Sequence, residues 1–243
     1  FITVGYLISD EETAFYFSAV IYPFIALMPV MYFIPIKDKV EWSFEDRFSI
    51  LLISVFIASL LWLIGEMIYC WYYNLYLQIE IPYPSIADVF FIAGYVPYIY
   101  GLVLYAIFLF KEFKIKVKLK EVLAIHAVYL PALAISVYVL VSPWYEALVE
   151  GEDPVVLALD LTYILFDLII LAVSLYILLF IRGKVGVIFF LIALGGILIV
   201  IYDVLFTYLD TLELYYDGHP IELLDLYSYM TDAIAFYKAK EIL

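Results

Sequence analysis

Asparagine and glutamine are almost missing from this 243-residue chain: Asn74 and Gln78 stand alone. Basic residues are scarce too, with 12 Lys and Arg against 26 Asp and Glu and a formal net charge of −14. That shortage argues against nucleic acid as a partner, since no basic surface of any extent lies outside a few short loops. The one cysteine, Cys70, cannot close an internal disulfide. The two histidines, His126 and His219, match no standard metal spacing. His219 beside Asp217 and Glu222 comes nearest, and no metal is expected. There is no Gly-rich phosphate loop, HExxH helix or nucleophile elbow, so neither a cofactor nor catalysis is expected. Few thermolabile amides beside plentiful Glu and Lys suit a thermophilic archaeon or bacterium, although an apolar membrane composition lowers them as well.

What is present is apolar: 67% of residues are hydrophobic and the mean hydropathy is +1.07. A spanning helix needs about 20 largely apolar residues. Seven runs qualify, at roughly 13–35, 48–73, 88–110, 121–142, 154–181, 185–208 and 221–237. The last is short and carries Asp225 and Asp232, so it is expected to pack inside the bundle. Every Lys and Arg falls in alternate gaps between runs: Lys37, Lys39 and Arg47; Lys111, Lys114, Lys116, Lys118 and Lys120; Arg182 and Lys184; Lys238 and Lys240. Cytoplasmic loops carry such an excess. The pattern predicts an all-α, polytopic, seven-helix protein of the cell membrane, with its N-terminus outside, its C-terminus inside and the lipid bilayer as its surroundings. The whole of 1–243 reads as one transmembrane domain. The stretch 111–120 alternates Lys with apolar residues; it reads as an ordinary inner loop or as a segment lying on the anionic leaflet.

Three outer loops, 74–88, 142–154 and 208–221, mix aromatics with acids, either as an aromatic belt or as a ligand-facing rim. A shift of 137 positions sets Glu66 on Asp203, Glu80 on Asp217 and Asp88 on Asp225. This suggests a parallel 3+1+3 repeat, with 13–110 and 154–237 as triplets and 121–142 as a spacer helix.

No Lys or Arg lies inside a run, but Glu66, Asp160, Asp167, Asp203, Asp225 and Asp232 do. A charge at the centre of hydrocarbon costs at least about 2.5–3.5 kcal/mol. Such acids are protonated, hydrogen-bonded in a wet cavity, or bound to a cation. Glu66 and Asp203 fall near the outer ends of the second and sixth helices, while Asp88 and Asp225 open the third and seventh. Their matched depth predicts an outward-facing polar cavity lined by Glu66, Asp88, Asp203 and Asp225, with Tyr69, Trp71 and Tyr208 as its aromatics. Ser85-Ile86-Ala87-Asp88 also reads as a capping box, which would hold Asp88 structurally. Asp167 and Asp232 lie near mid-depth on two inward-running helices. They are candidates for a proton relay, two carboxyls sharing one proton, or else two separately bonded acids.

Residues 65–95 (GEMIYCWYYNLYLQIEIPYPSIADVFFIAGY) and 203–230 (DVLFTYLDTLELYYDGHPIELLDLYSYM) resemble the multi-helix membrane sensor regions that precede prokaryotic diguanylate cyclases, phosphodiesterases and histidine kinases. The resemblance implies a sensor that responds to a small ligand or ion from outside and signals to a cytoplasmic partner or a domain attached beyond Lys238–Leu243. The alternatives are a cation- or proton-coupled transporter and a structural subunit of a membrane assembly. Seven helices also resemble microbial rhodopsins, but Lys238 lies at the inner end rather than at mid-membrane, which argues against a covalent retinal.

Overall fold

Polar caps set where the helices begin. The computed structural model describes residues 2–8, 10–41, 46–112, 118–151, 153–178 and 183–243. Lys114, Lys116 and Arg182 of the expected basic loops lie outside them. A short helix α1 (Ile2–Ile8), not anticipated from the sequence, precedes α2 (Glu11–Phe33). Asp10 caps α2 by accepting the Thr13 N–H at 2.8 Å. Asp46 caps α3 (Arg47–Glu66) through the N–H groups of Phe48 and Ser49, both at 3.1 Å. Such caps satisfy donors that the helix itself cannot pair.

The helix α3 does not stop at Glu66. It runs on from Met67 to Leu77 in wider, π-helical turns, and the N–H of Gln78 reaches back five residues to the Tyr73 carbonyl at 2.9 Å. The helix α4 (Ile86–Glu112) opens on the anticipated capping box: Asp88 accepts the Ser85 N–H at 2.6 Å, and Ser85 Oγ accepts the Ala87 N–H at 3.2 Å. The helix α5 (Leu119–Glu150) extends well beyond the expected 121–142 and absorbs most of what reads as an outer loop. Gly151, at φ 84, and Pro154 supply the stop that the sequence places at 142. The chain continues through α6 (Pro154–Leu178), α7 (Gly183–Thr211) and α8 (Glu222–Lys240).

Six helices close a ring in the order α2, α3, α4, α6, α7, α8, with α8 returning to α2. The helix α5 stands outside, against α6 and α7, and leaves Leu123, Val128, Ile135 and Tyr138 exposed. The core fills the ring with Leu51, Leu52, Tyr98, Leu102, Ile192, Leu226 and Phe236, all essentially buried. The Trp62 indole ties α3 to α4 by donating to the Phe91 carbonyl at 3.0 Å.

Among the described residues there is no strand, and α2 to α7 are the six helices long and apolar enough to cross a membrane. The architecture is that of a multi-pass membrane protein. The expected seventh span, 221–237, coincides with α8 but is too polar to qualify on composition alone. Glu222, Asp225, Ser228 and Asp232 are turned into the bundle.

The link from α7 to α8 depends on Gly218. Its φ of 91 is one that side chains rarely adopt, and a Cβ there would stand 2.6 Å from the Ala14 carbonyl oxygen and 2.8 Å from the Phe15 nitrogen of α2. Replacing Gly218 by Ala should lower stability by at least about 1–2 kcal/mol, measured as thermal unfolding of the detergent-solubilised protein. An unchanged midpoint would contradict this packing.

Candidate functional site

Acids and aromatics repeat along one face of four helices at i, i+3 and i+7. These are Asp88, Phe91 and Tyr95 on α4; Asp160, Tyr163 and Asp167 on α6; Asp203, Phe206 and Asp210 on α7; and Glu222, Asp225 and Tyr229 on α8. Positions so spaced share one side of a helix, and here all four sides face the same space. From α3 comes Glu66, and the wide turns after it bring Tyr69, Cys70 and Asn74 to the same wall. The result is a cavity of about 720 Å3 at the end of the ring where α2, α4, α6 and α8 begin. It reaches the surface beside Tyr83, Asp210 and Thr211.

Nine carboxylates line this cavity: Glu66, Asp88, Asp160, Asp167, Asp203, Asp210, Asp217, Glu222 and Asp225. Among the described residues no Lys, Arg or His lines it. The charge is met instead by hydroxyl and amide donors. Glu222 is the most fully engaged. It accepts from Tyr6 at 2.8 Å, Ser18 at 2.6 Å, Tyr215 at 2.9 Å and the Gly218 N–H at 2.6 Å, tying α1, α2 and the preceding loop to α8. Glu66 accepts from Tyr229 at 3.0 Å, joining α3 to α8. Asp88 accepts from Tyr163 at 2.9 Å, and Asp160 from Tyr83. Outside the spans, Asp217 accepts from Tyr69 and from the Asn74 amide, each at 3.2 Å.

The tyrosine of α4, Tyr95, sits between two acids, 2.6 Å from Asp203 Oδ2 and 3.0 Å from Asp167 Oδ1. Tyr95 thus bridges Asp167 of α6 and Asp203 of α7.

The structure brings Glu66, Asp88, Asp203, Asp225 and Tyr69 to one cavity. Trp71 and Tyr208 do not join it. Trp71 packs edge-on against Phe24 at 5.9 Å, and both residues are exposed on the outside of the ring. The wider turns after Glu66 carry Trp71 outward. The pairing of Asp167 with Asp232 is not found either. The helix α7 runs to Thr211 rather than 208, so Asp203 lies deeper than its position in the run implies and meets Asp167 through Tyr95. Asp232 faces Gly195 of α7 instead. His219 uses Nδ1 to accept the Ile221 N–H at 3.2 Å. Burial lowers its imidazole below the usual range. Among the described residues no three His, Cys, Asp or Glu stand together as a metal site. The sequence reading passed over Glu222, Asp210, Tyr95 and Tyr202 as cavity residues. The i, i+3, i+7 spacing would have found all but Tyr202.

No family model, no curated protein and no solved structure matches the chain.

Burial holds the Asp217 carboxyl above its ordinary range, opposed in part by its bonds to Tyr69 and Asn74. The folded state therefore keeps this proton to higher pH than the unfolded chain, whose carboxyl titrates near about 3.9. Stability from this group is greatest at low pH and falls as pH rises through the native value. Asp217→Asn should shrink the drop in thermal midpoint between about pH 4 and pH 7. A drop equal to that of the wild type would contradict the assignment.

Proposed function

We propose that the chain is a seven-span receptor or sensor of the cell membrane that takes a small organic cation into this cavity from outside and signals to a cytoplasmic partner. One observation carries the reading: nine carboxylates in a ligand-sized cavity with no basic side chain among its described residues. Ligand pockets commonly span about 300–1,000 Å3. Tyrosine faces add attraction for an ammonium group, and the acidic mouth would raise the local concentration of cations. Glu66 is the residue best placed to recognise the charge, because among the described residues only Tyr229 and the weak thiol donor of Cys70, 3.9 Å away, donate to its carboxylate. No chemical reaction is proposed.

The topology belongs to the same proposal. The 19 residues of α8 extend about 28 Å, close to the hydrocarbon thickness of about 30 Å. With α8 as the seventh span, the basic ends of α2, α4 and α8 lie inside. The 3+1+3 repeat gains support from two crosswise bonds. Glu66 of α3 meets Tyr229 of α8, and Asp203 of α7 meets Tyr95 of α4. In each, the second helix of one triplet reaches the third helix of the other, while α5 stands outside the ring. A ligand that favours one arrangement of the triplets shifts their equilibrium by its difference in affinity. The same crosswise bonds favour transport as the second reading, since rocking of two repeats about a central site is how such carriers alternate access.

Thermal-shift and calorimetric titration of the purified chain with primary alkylamines, against alcohols of matched shape, tests the reading. Amines should bind and stabilise, alcohols should not, and Glu66→Gln should weaken amine binding at least about tenfold, the loss of about 1.4 kcal/mol. Equal binding of amine and alcohol, or none of either, would overturn it. Amine uptake by proteoliposomes would select the transporter.

A further inference from the structure

The cavity has a second wall that carries no acid. On α6, Leu157, Leu161 and Ile164 line it along with the carboxylates. At 3.6 residues per turn their side of the helix is about a quarter-turn from the side of Asp160 and Asp167. The helix α7 repeats the arrangement, with Val204 and Thr207 about a quarter-turn from Asp203 and Asp210. The cavity therefore bends out of the acidic chamber into a cleft between α6 and α7.

This cleft is apolar and roofed by α5. Thr207 commits its hydroxyl hydrogen to the Asp203 carbonyl of its own helix at 2.9 Å. Leu157 is only 5% exposed although it lies off the acid-bearing face of α6. Ser136, 3% exposed, is the residue of α5 that lines the cavity. Leu161 is 41% exposed, so the cleft reaches the outside of the bundle on its apolar flank. Asp160 and Asp203 directly precede Leu161 and Val204 in the chain, so carboxylates adjoin the apolar wall.

We propose that the cavity takes amphiphilic primary amines, with the ammonium group among the carboxylates and the alkyl chain in the cleft between α6 and α7. The proposal rests on the reading of the cavity as a site for organic cations and names their class. A small hydrophilic cation would leave the apolar wall wet, and an uncharged alkyl chain would leave the carboxylates unmatched. A phospholipid satisfies neither wall well, because the phosphate beside its headgroup is repelled by the acids. An amphiphilic amine meets both walls at once. It also gathers in the bilayer, and the exposed side of Leu161 gives it a lateral way in.

The test uses the full chain in lipid nanodiscs with butylamine, hexylamine and octylamine. Binding is measured by equilibrium dialysis against free aqueous amine, with empty nanodiscs subtracted. Each added methylene should tighten binding about fourfold. Leu161→Trp and Val204→Trp, which fill the cleft, should cut octylamine affinity at least about tenfold and flatten the dependence on chain length. On the wild type, octylamine with a diazirine at its far end should crosslink to α6 or α7 within 157–164 or 204–207. Equal binding of the three amines would overturn the proposal and leave the cation site standing, whereas no binding of any amine would sink both. Crosslinks confined to α3 or α8, or a full octylamine affinity in both variants, would put the chain elsewhere and overturn it too. The wild-type series and its crosslinks decide the matter even if neither variant folds.

Discussion

A carboxylate taken out of water needs donors, and in this protein the donors are phenols. The interior of the ring holds acids but no described cation to neutralise them, and leaving such groups unpaired would cost several kcal/mol each. Tyrosine answers the need in a membrane protein because its ring packs as a hydrophobe while its hydroxyl donates one strong hydrogen bond. This accounts for a composition that is otherwise odd, with 25 tyrosines beside two side-chain amides. Most of these bonds also join separate elements: Glu66 to Tyr229, Asp88 to Tyr163, Asp203 to Tyr95, Glu222 to Tyr6. The acids that would disrupt isolated helices in lipid become the contacts that close the ring around a polar space.

Much of this was legible in the residues. Apolar runs and basic gaps located the helices, because the length of a span and the sidedness of Lys and Arg obey simple rules. The depth of Glu66, Asp88, Asp203 and Asp225 along their helices was enough to gather them at one end. What escaped was rotational. A run of apolar residues specifies how far along a helix an acid lies, but its azimuth depends on turn type and on where the helix ends. The π-helical turns after Glu66 sent Trp71 outward while keeping Tyr69 and Asn74 inward, and three more residues on α7 moved Asp203 down to Asp167. Gly151, as a helix stop, was hidden by the preceding Ser142-Pro143, which reads as a break but lies within α5.

The helix α8 concentrates the consequences. It has the weakest claim to be a span by composition and the most central place in the bundle by packing. Its buried face reads Glu222, Asp225, Ser228, Tyr229, Asp232. That stripe starts with Glu222, held by four donors, passes Asp225, met by Ser228, and ends at Asp232, which has an oxygen without a hydrogen-bond partner among the described residues. The number of donors that meet each carboxyl therefore falls along one helix. The first of these acids anchors α1 and α2.

The claim beneath all of this is that acid–phenol bonds between helices, rather than apolar contact alone, hold the ring closed. Double-mutant cycles measure that most directly: Glu66→Ala with Tyr229→Phe, and Asp203→Ala with Tyr95→Phe, each followed by unfolding in the same detergent. The account predicts coupling of about 0.5–3 kcal/mol in both cycles. Strict additivity within about 0.3–0.5 kcal/mol in both would contradict it.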